Sequence, residues 1–276
     1  MQTKIIEEKQ DLTHLLWSKI RNSSGTAGSF LKSQSDLGGK KIYYKLSNFD
    51  TVKGVVGHEC INELIVDRLL TIFGIEHLHY QLIHSDILID GKRYTTYLCA
   101  SEDFRDAGES KIAIDAYFQA ERYNNEGTMD FCLRMGWAEY IYQMLAVDFL
   151  ILNRDRHGAN IEVLRNSRKK TLRLAPLFDH GLSLLCSCSD EASVNVFDVM
   201  ADKPIQCFVG SRSAKDNLSI IPVDGRSALN PLNESDKAGI FDGLSSALPQ
   251  VWQDKIWEML WRRWLAYEDF CGQGYE

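Results

Sequence analysis

No stretch of this 276-residue chain approaches the roughly 20 consecutive apolar residues that a bilayer-spanning helix needs. Residues Met1 to Gln10 are charged rather than apolar, so no secretory signal is expected there. The cytoplasm is the expected compartment, with delivery elsewhere left open. A surplus of positive charge is also missing. The 31 Lys and Arg stand against 38 Asp and Glu, a formal net charge of −7, which argues against broad nucleic-acid binding. The five basic residues between Arg165 and Arg173 are expected to be a solvated hairpin tip. The seven cysteines include no C-x-x-C pair, and Cys186-Ser187-Cys188 has no second pair at zinc-ligand distance. Free thiols in a reducing compartment are the expectation. A disordered composition is absent too: at 45% hydrophobic and 25% charged, the chain can build one large domain or two lobes.

The chemistry gathers in one stretch, Val147-Asp148-Phe149-Leu150-Ile151-Leu152-Asn153-Arg154-Asp155-Arg156-His157-Gly158-Ala159-Asn160. It begins apolar and ends in an acid, an imidazole, a glycine and an amide. Leu177-Phe178-Asp179-His180-Gly181 follows, with a second acid 19 positions beyond Asn160. Asp155 can accept a proton from a hydroxyl, and Asn160 and Asp179 offer hard oxygen ligands for Mg²⁺. Phosphoryl transfer from ATP requires this arrangement of an acid, a nearby amide and a distant acid. His157 is expected to shape the loop locally, and Arg154 and Arg156 to pair with nearby acids.

Upstream, His14–Ile20 is expected to be a first strand. Small residues then run from Asn22 to Ser29, among them Ser24, Gly25, Thr26, Ala27, Gly28 and Ser29, and such a loop can fold over phosphates. It is not a Walker A loop, because Leu31 rather than glycine precedes Lys32-Ser33. Gly38-Gly39 predicts a hairpin between Ser29–Ser33 and Lys40–Leu46, which places Lys45 as the ATP-phosphate lysine. A helix over about His58–Phe73 carries Glu59 and Glu63. Either acid could pair with Lys45; Glu63 is preferred, and the other is expected at the surface. Asp90-Gly91 predicts a second hairpin, Asp86–Ile89 with Lys92–Ala100. It runs into a connector at Cys99–Phe104 whose backbone, Cys99 included, would meet an adenine edge.

Asp106–Gly127 carries no clear pattern. Met129–Leu152 reads as one long helix, apolar nearly all round and therefore buried. Ile161–Leu164 and Thr171–Leu174 predict the hairpin that brings Asn160 and Asp179 to one metal. Lys203–Ser211 is expected as a loop near the active face. Trp257, Leu260, Trp261, Trp264 and Leu265 give Leu248–Phe270 the spacing of a core-closing helix.

D-F-L-I-L-N-R-D-R-H-G-A-N-I-E-V-L (Asp148–Leu164) followed by L-A-P-L-F-D-H-G (Leu174–Gly181) resembles the HipA-like serine/threonine kinases of bacteria, in particular the short CtkA type. The resemblance implies an α/β (α+β) bilobal protein-kinase-like fold, of the kind shared with phosphoinositide kinases. Residues 1–104 would form a small β-rich lobe and 105–276 a larger helical one. It implies Mg-ATP-dependent phosphorylation of a protein serine or threonine, with catalytic Asp155, metal ligands Asn160 and Asp179, and Lys45 on the ATP phosphates. It further implies autophosphorylation of a phosphate-loop serine (Ser23, Ser24 or Ser29) that shuts the enzyme down, and it leaves room for an antitoxin-like partner. Neither direct nucleic-acid binding nor a membrane is expected. A lipid kinase is the competing enzyme, since phosphoinositide kinases share D-R-H-x-x-N. It would need a basic loop after Asp179, and Ser187–Val199 holds acids and no Lys or Arg. The non-enzymatic alternative is a silent scaffold of the toxin–antitoxin kind.

Overall fold

In a computed structural model of the chain, residues 5–18, 30–226 and 229–272 are described. The first strand is β1 (Ile5–Asp11), not His14–Ile20. Asp11 ends it by accepting hydrogen bonds from Thr13 N at 3.0 Å and Thr13 Oγ1 at 2.6 Å, which turns the chain away from the sheet. Among the described residues, 14–17 form no strand and Ser18 pairs back in a bridge to Lys32, while Lys19 and Ile20 lie outside the described residues. Next come β2 (Lys32–Leu37), β3 (Lys40–Leu46) and two short pieces, β4 (Phe49–Asp50) and β5 (Gly54–Val55). They lead to α1 (Glu59–Phe73), β6 (Gln81–Ile89) and β7 (Lys92–Glu102).

Both predicted turns form, with Leu37 opposite Lys40 and Ile89 opposite Lys92, but the first strand of the Gly38-Gly39 hairpin is Lys32–Leu37 rather than Ser29–Ser33, of which Ser29 lies outside the described residues. The resulting five-stranded sheet has the order β1-β6-β7-β3-β2. Alternation sorts its two faces. Leu46, Ile83, Ile87 and Leu98 pack into a small apolar core on one side, with Ile42 and Tyr44 against it. Lys45 points to the other side, toward α1.

The unpatterned segment 106–127 holds β8 (Ser110–Ala113) and α2 (Ile114–Glu121). The expected long helix is two, α3 (Thr128–Arg134) and α4 (Ala138–Ile151). Gly136, between them, sits at φ 76°, a left-handed conformation that glycine tolerates and a continuing helix does not. Past α4 lie β9 (Asp155–Arg156), a 3₁₀ turn at Gly158–Asn160, β10 (Glu162–Asn166) and β11 (Thr171–Leu174). β10 pairs with both β11 and β8, so the segment without pattern in the sequence completes a three-stranded sheet. The chain continues through α5 (Glu191–Asn195), β12 (Gln206–Cys207), α6 (Ala214–Ser219), α7 (Asp236–Phe241) and α8 (Gln250–Gly272).

The larger core joins one face of α1 to α4 and α8, where Phe73 stacks on Trp264 at 5.3 Å. As expected, α8 closes this core. Arg263, on its buried face, donates to the carbonyls of Val199, Phe149 and Ala201 at 2.7–2.9 Å. The seven cysteines are free thiols. No helix among the described residues is long and apolar enough to cross a membrane.

Candidate active site

α1 is built to hold charge at the sheet. Its apolar side chains (Ile61, Leu64, Ile65, Leu69) face the core, while Glu59 and Glu63, one turn apart, are both buried beside β3. Lys45 chooses between them: its Nζ lies 2.6 Å from Glu63 Oε1. Glu59 instead accepts a hydrogen bond from Asn48 N at 3.0 Å and is only 5% exposed, so the expected surface position for the unpaired acid is corrected. Lys45 Nζ also reaches Asp179 Oδ1 at 2.5 Å. Burial by itself would push the Lys45 ammonium down, but the Asp179 and Glu63 carboxylates outweigh it and hold the group well above an ordinary lysine. The positive charge is therefore permanent at neutral pH.

Asp179 is held from several sides. Its backbone sits at φ 59°, a strained conformation for a residue with a side chain. Its N–H donates to Tyr80 Oη at 3.3 Å. The next amide, His180 N, donates to Glu63 Oε2 at 2.8 Å, so one glutamate binds both the lysine and the Asp179 segment. Burial, followed by the Arg156 guanidinium, pushes the His180 imidazole well below its ordinary value, so the ring beside this cluster is neutral.

The Asp155 loop hangs from the end of α4. Leu152 closes the helix at φ 51°, and Asn153 returns to it through Asn153 N to Asp148 O, 3.0 Å, and Asn153 Nδ2 to Asp148 Oδ1, 2.9 Å. Asp155 N donates to Asn153 Oδ1 at 3.1 Å, and Asn160 Nδ2 donates to Asp155 O at 2.7 Å. His157 has the local role expected of it: Nδ1 accepts from Ala159 N at 3.1 Å. Arg154 donates not to an acid but to Pro204 O, at 2.9 Å. The predicted approach of residues 203–211 is also present, with β12 parallel to β9 and Gln206 opposite Asp155. Beside it a cleft of about 550 Å³ is lined by His157, Gly158, Phe208 and Arg212 among others.

Arg156 joins the two motifs. It is 0% exposed and pairs through Nε and one Nη with Asp148, at 3.0 Å each. Its other Nη donates to Phe178 O at 2.9 Å and Asn160 O at 3.3 Å. A single guanidinium nitrogen thus ties the residue before Asp179 to Asn160, across the 18 residues between the two candidate metal ligands. Sequence reasoning expected an acid for Arg156 but did not single out Asp148. An acid inside an apolar helix, eight positions ahead of an arginine, was the available signal.

Two nucleotide-site expectations fare differently. Ser24, Gly25, Thr26, Ala27, Gly28 and Ser29, with Ser23, lie outside the described residues. Their downstream flank is described: the Phe30 ring centroid is 5.1 Å from Lys45 Nζ. Cys99 is corrected. It lies inside β7, opposite Lys45 on one side and Leu82 on the other, so its backbone belongs to the sheet rather than to an adenine edge. The connector begins past Glu102, where Phe104 packs on Phe178 with ring centroids 5.6 Å apart.

Two consequences can be measured. A Cβ on Gly158 would lie 2.5 Å from Asp115 Cβ and 3.1 Å from Asp115 N, so α2 sets the loop position through backbone contact. Gly158→Ala is expected to cost about 1–3 kcal/mol, read as a lower urea midpoint. His58, at the start of α1, has an Nε2 shut away from solvent. Burial, partly offset by a hydrogen bond to the Leu185 backbone, pushes the ring from 6.5 down to about 4. Between those values the unfolded chain binds the proton and the folded one does not, so stability falls as pH drops from 6.5 toward 4. His58→Gln is expected to flatten that fall in urea titrations across this range. An unchanged slope would remove His58 from the account.

No protein-family model matches the chain, and no curated protein matches it. Among solved structures it superposes on "A Helicobacter pylori proinflammatory kinase CtkA" with a TM-score of 0.67 and 14% identity, covering 96% of this chain and 97% of that one. The chain has the fold of the CtkA kinase. HipA of Shewanella oneidensis MR-1, solved with HipB and its operator DNA, also matches, at a TM-score of 0.41 and 14% identity, over 93% of this chain and 59% of that one. The CtkA fold accounts for the α/β architecture, a sheet-bearing part followed by helices, that the motifs implied.

Proposed function

We propose that this chain is a Mg-ATP-dependent serine/threonine protein kinase of HipA-like type. Residues 1–104 form its nucleotide-covering lobe and 105–276 its catalytic lobe. The observation that carries the reading is the joint Lys45–Glu63–Asp179 contact, with the Asp155–Asn160 loop fastened to the same segment by Arg156. The donor chemistry fits Mg²⁺: Asp179 offers a carboxylate, and Asn160, whose Nδ2 is spent on Asp155 O, offers an amide oxygen. Bound Mg²⁺ would neutralise phosphate charge during transfer. Lys45, kept positive, orients phosphate. Asp155, partly exposed beside the cleft, accepts the proton of the acceptor hydroxyl. The segment after Asp179 favours a protein acceptor over a phosphoinositide, because Asp190 and Glu191 open a short helix there through an Asp190–Ser193 capping box. The antitoxin-like partner and the loop-serine acceptor rest on the sequence resemblance alone.

The test incubates the protein with Mg-ATP and reads intact mass and phosphosites. The wild type is expected to gain phosphate at Ser23, Ser24 or Ser29. Asp179→Asn, which keeps the Lys45–Glu63 pair, is expected to gain none. Wild-type protein that neither binds nor consumes Mg-ATP would overturn the proposal.

A further inference from the structure

Away from the catalytic cluster, Asp67 on α1 meets two histidines from the α1–β6 connection. Asp67 Oδ1 lies 3.0 Å from His77 Nε2 and 3.1 Å from His79 Nδ1, and these three donor atoms all fall within 4.8 Å of one another. Asp67 is 1% and His77 8% exposed, while the His79 side chain is 53% exposed, so the cluster opens to solvent on one side. The remaining partners are fixed. Asp67 Oδ2 accepts from Tyr80 N at 2.6 Å, and His77 Nδ1 lies 2.6 Å from Ile75 O. Thr71 Oγ1, 3.4 Å from His77 Nε2, donates to Asp67 O at 2.9 Å.

The Ile75 contact decides the ring. A carbonyl only accepts, so His77 Nδ1 carries a proton, and in a neutral imidazole Nε2 is then a lone pair. Two acceptors hold the 3.0 Å separation of His77 Nε2 and Asp67 Oδ1 only around a shared cation, which is either a second ring proton or a metal ion. His79 Nδ1 converges on the same oxygen. Two imidazole nitrogens and one carboxylate oxygen are a donor set for Zn²⁺, whose ligands stand about 2.0–2.2 Å from the metal. In a tetrahedron of that size neighbouring donors are about 3.3 Å apart, close to the two separations observed. The His77–Ile75 contact is the outer-shell bond that orients a metal-bound histidine.

We propose that Asp67, His77 and His79 form a structural site for Zn²⁺ or a similar first-row divalent ion, with the fourth position open to solvent. Its place gives it a role. Leu78 N donates to Leu177 O at 2.8 Å, Leu177 N donates to Glu76 O at 3.2 Å, and Tyr80 Oη accepts from Asp179 N at 3.3 Å. The ion clamps α1, the helix carrying Glu63, to the segment that carries Asp179. The site is distinct from the Mg²⁺ position and does not depend on the kinase reading.

The test titrates metal-stripped protein with ZnCl₂ against a chromophoric chelator, and with CoCl₂ while recording the visible spectrum. Wild type and Asp179→Asn are each expected to bind one equivalent, to show a tetrahedral Co²⁺ band without thiolate charge transfer, and to melt higher with Zn²⁺. His79→Ala removes a half-exposed ligand. It is expected to fold and to bind at least about tenfold more weakly, since losing even an outer-shell partner costs that much. Wild type that binds no Zn²⁺, or His79→Ala that binds as wild type does, would overturn the site. Binding lost in Asp179→Asn but kept in His79→Ala would move it to the catalytic cluster.

Discussion

Asp155→Asn is expected to slow phosphate incorporation by about 10²–10⁴-fold, the range for a positioned general base, while Mg-ATP binding persists. The loop survives this change because its supporting bonds use the backbone of residue 155: its N–H reaches Asn153 Oδ1 and its carbonyl accepts from Asn160 Nδ2. The carboxylate itself makes weaker contacts, 3.5 Å to His157 Nε2 and 3.4 Å to Asn160 Nδ2. An amide fills the same volume but cannot take the proton of an acceptor hydroxyl. The measurement is the initial rate of mass gain, alongside nucleotide affinity by calorimetry. An Asp155→Asn protein that transfers phosphate at the wild-type rate would remove Asp155 from the chemistry.

Arg156→Leu is expected to produce the largest loss of stability, about 3–5 kcal/mol, because it leaves Asp148 as a buried charge without its partner. Asp148 is 2% exposed, so water cannot replace the guanidinium. Burial acts to lower the Arg156 value, but the Asp148 carboxylate holds it above that of an ordinary arginine, so the guanidinium keeps its charge inside the fold. A lower urea midpoint with an unchanged m-value reads out the loss. The double variant Asp148→Leu with Arg156→Met separates two roles. It removes both charges, which is often nearly neutral for folding, and is expected to recover much of the stability. Transfer is expected to stay low, because no guanidinium then joins Phe178 O to Asn160 O. Recovery of both stability and transfer would show that Arg156 serves folding alone.

Regions governed by short-range periodicity were legible in the sequence. The turns at Gly38-Gly39 and Asp90-Gly91, the apolar spacing of α1 and α8, and the β10–β11 hairpin follow from local chain chemistry, and each forms where the pattern places it. The acid–amide–acid spacing around Asp155, Asn160 and Asp179 identified the candidate site, because ligand chemistry restricts residue types strongly. Competing local signals were less reliable. The apolar run at His14–Ile20 reads as a strand, yet the Asp11–Thr13 turn ends pairing before it. Gly136 interrupts a run whose hydrophobicity would otherwise carry one helix through.

Partner choice among charges was decided by tertiary structure alone. Glu59 and Glu63 occupy equivalent positions one turn apart, and both are acids that could meet Lys45. Only the packing of α1 beside β3 gives Lys45 to Glu63 and Asn48 to Glu59. Asp148 and Arg156 have no local signature as a pair, and Asp67, His77 and His79 become a donor set only when the chain beyond α1 folds back along it. The physical reason is common to all three. Backbone periodicity is set by neighbours a few residues away, whereas a buried charge is stabilised by whichever opposite charge or polar group the packed fold brings within about 3 Å. The sequence by itself thus determined the local elements and the chemistry available, and the packing of α1 against the sheet and of α4 against α6 and α8 determined which groups share a site.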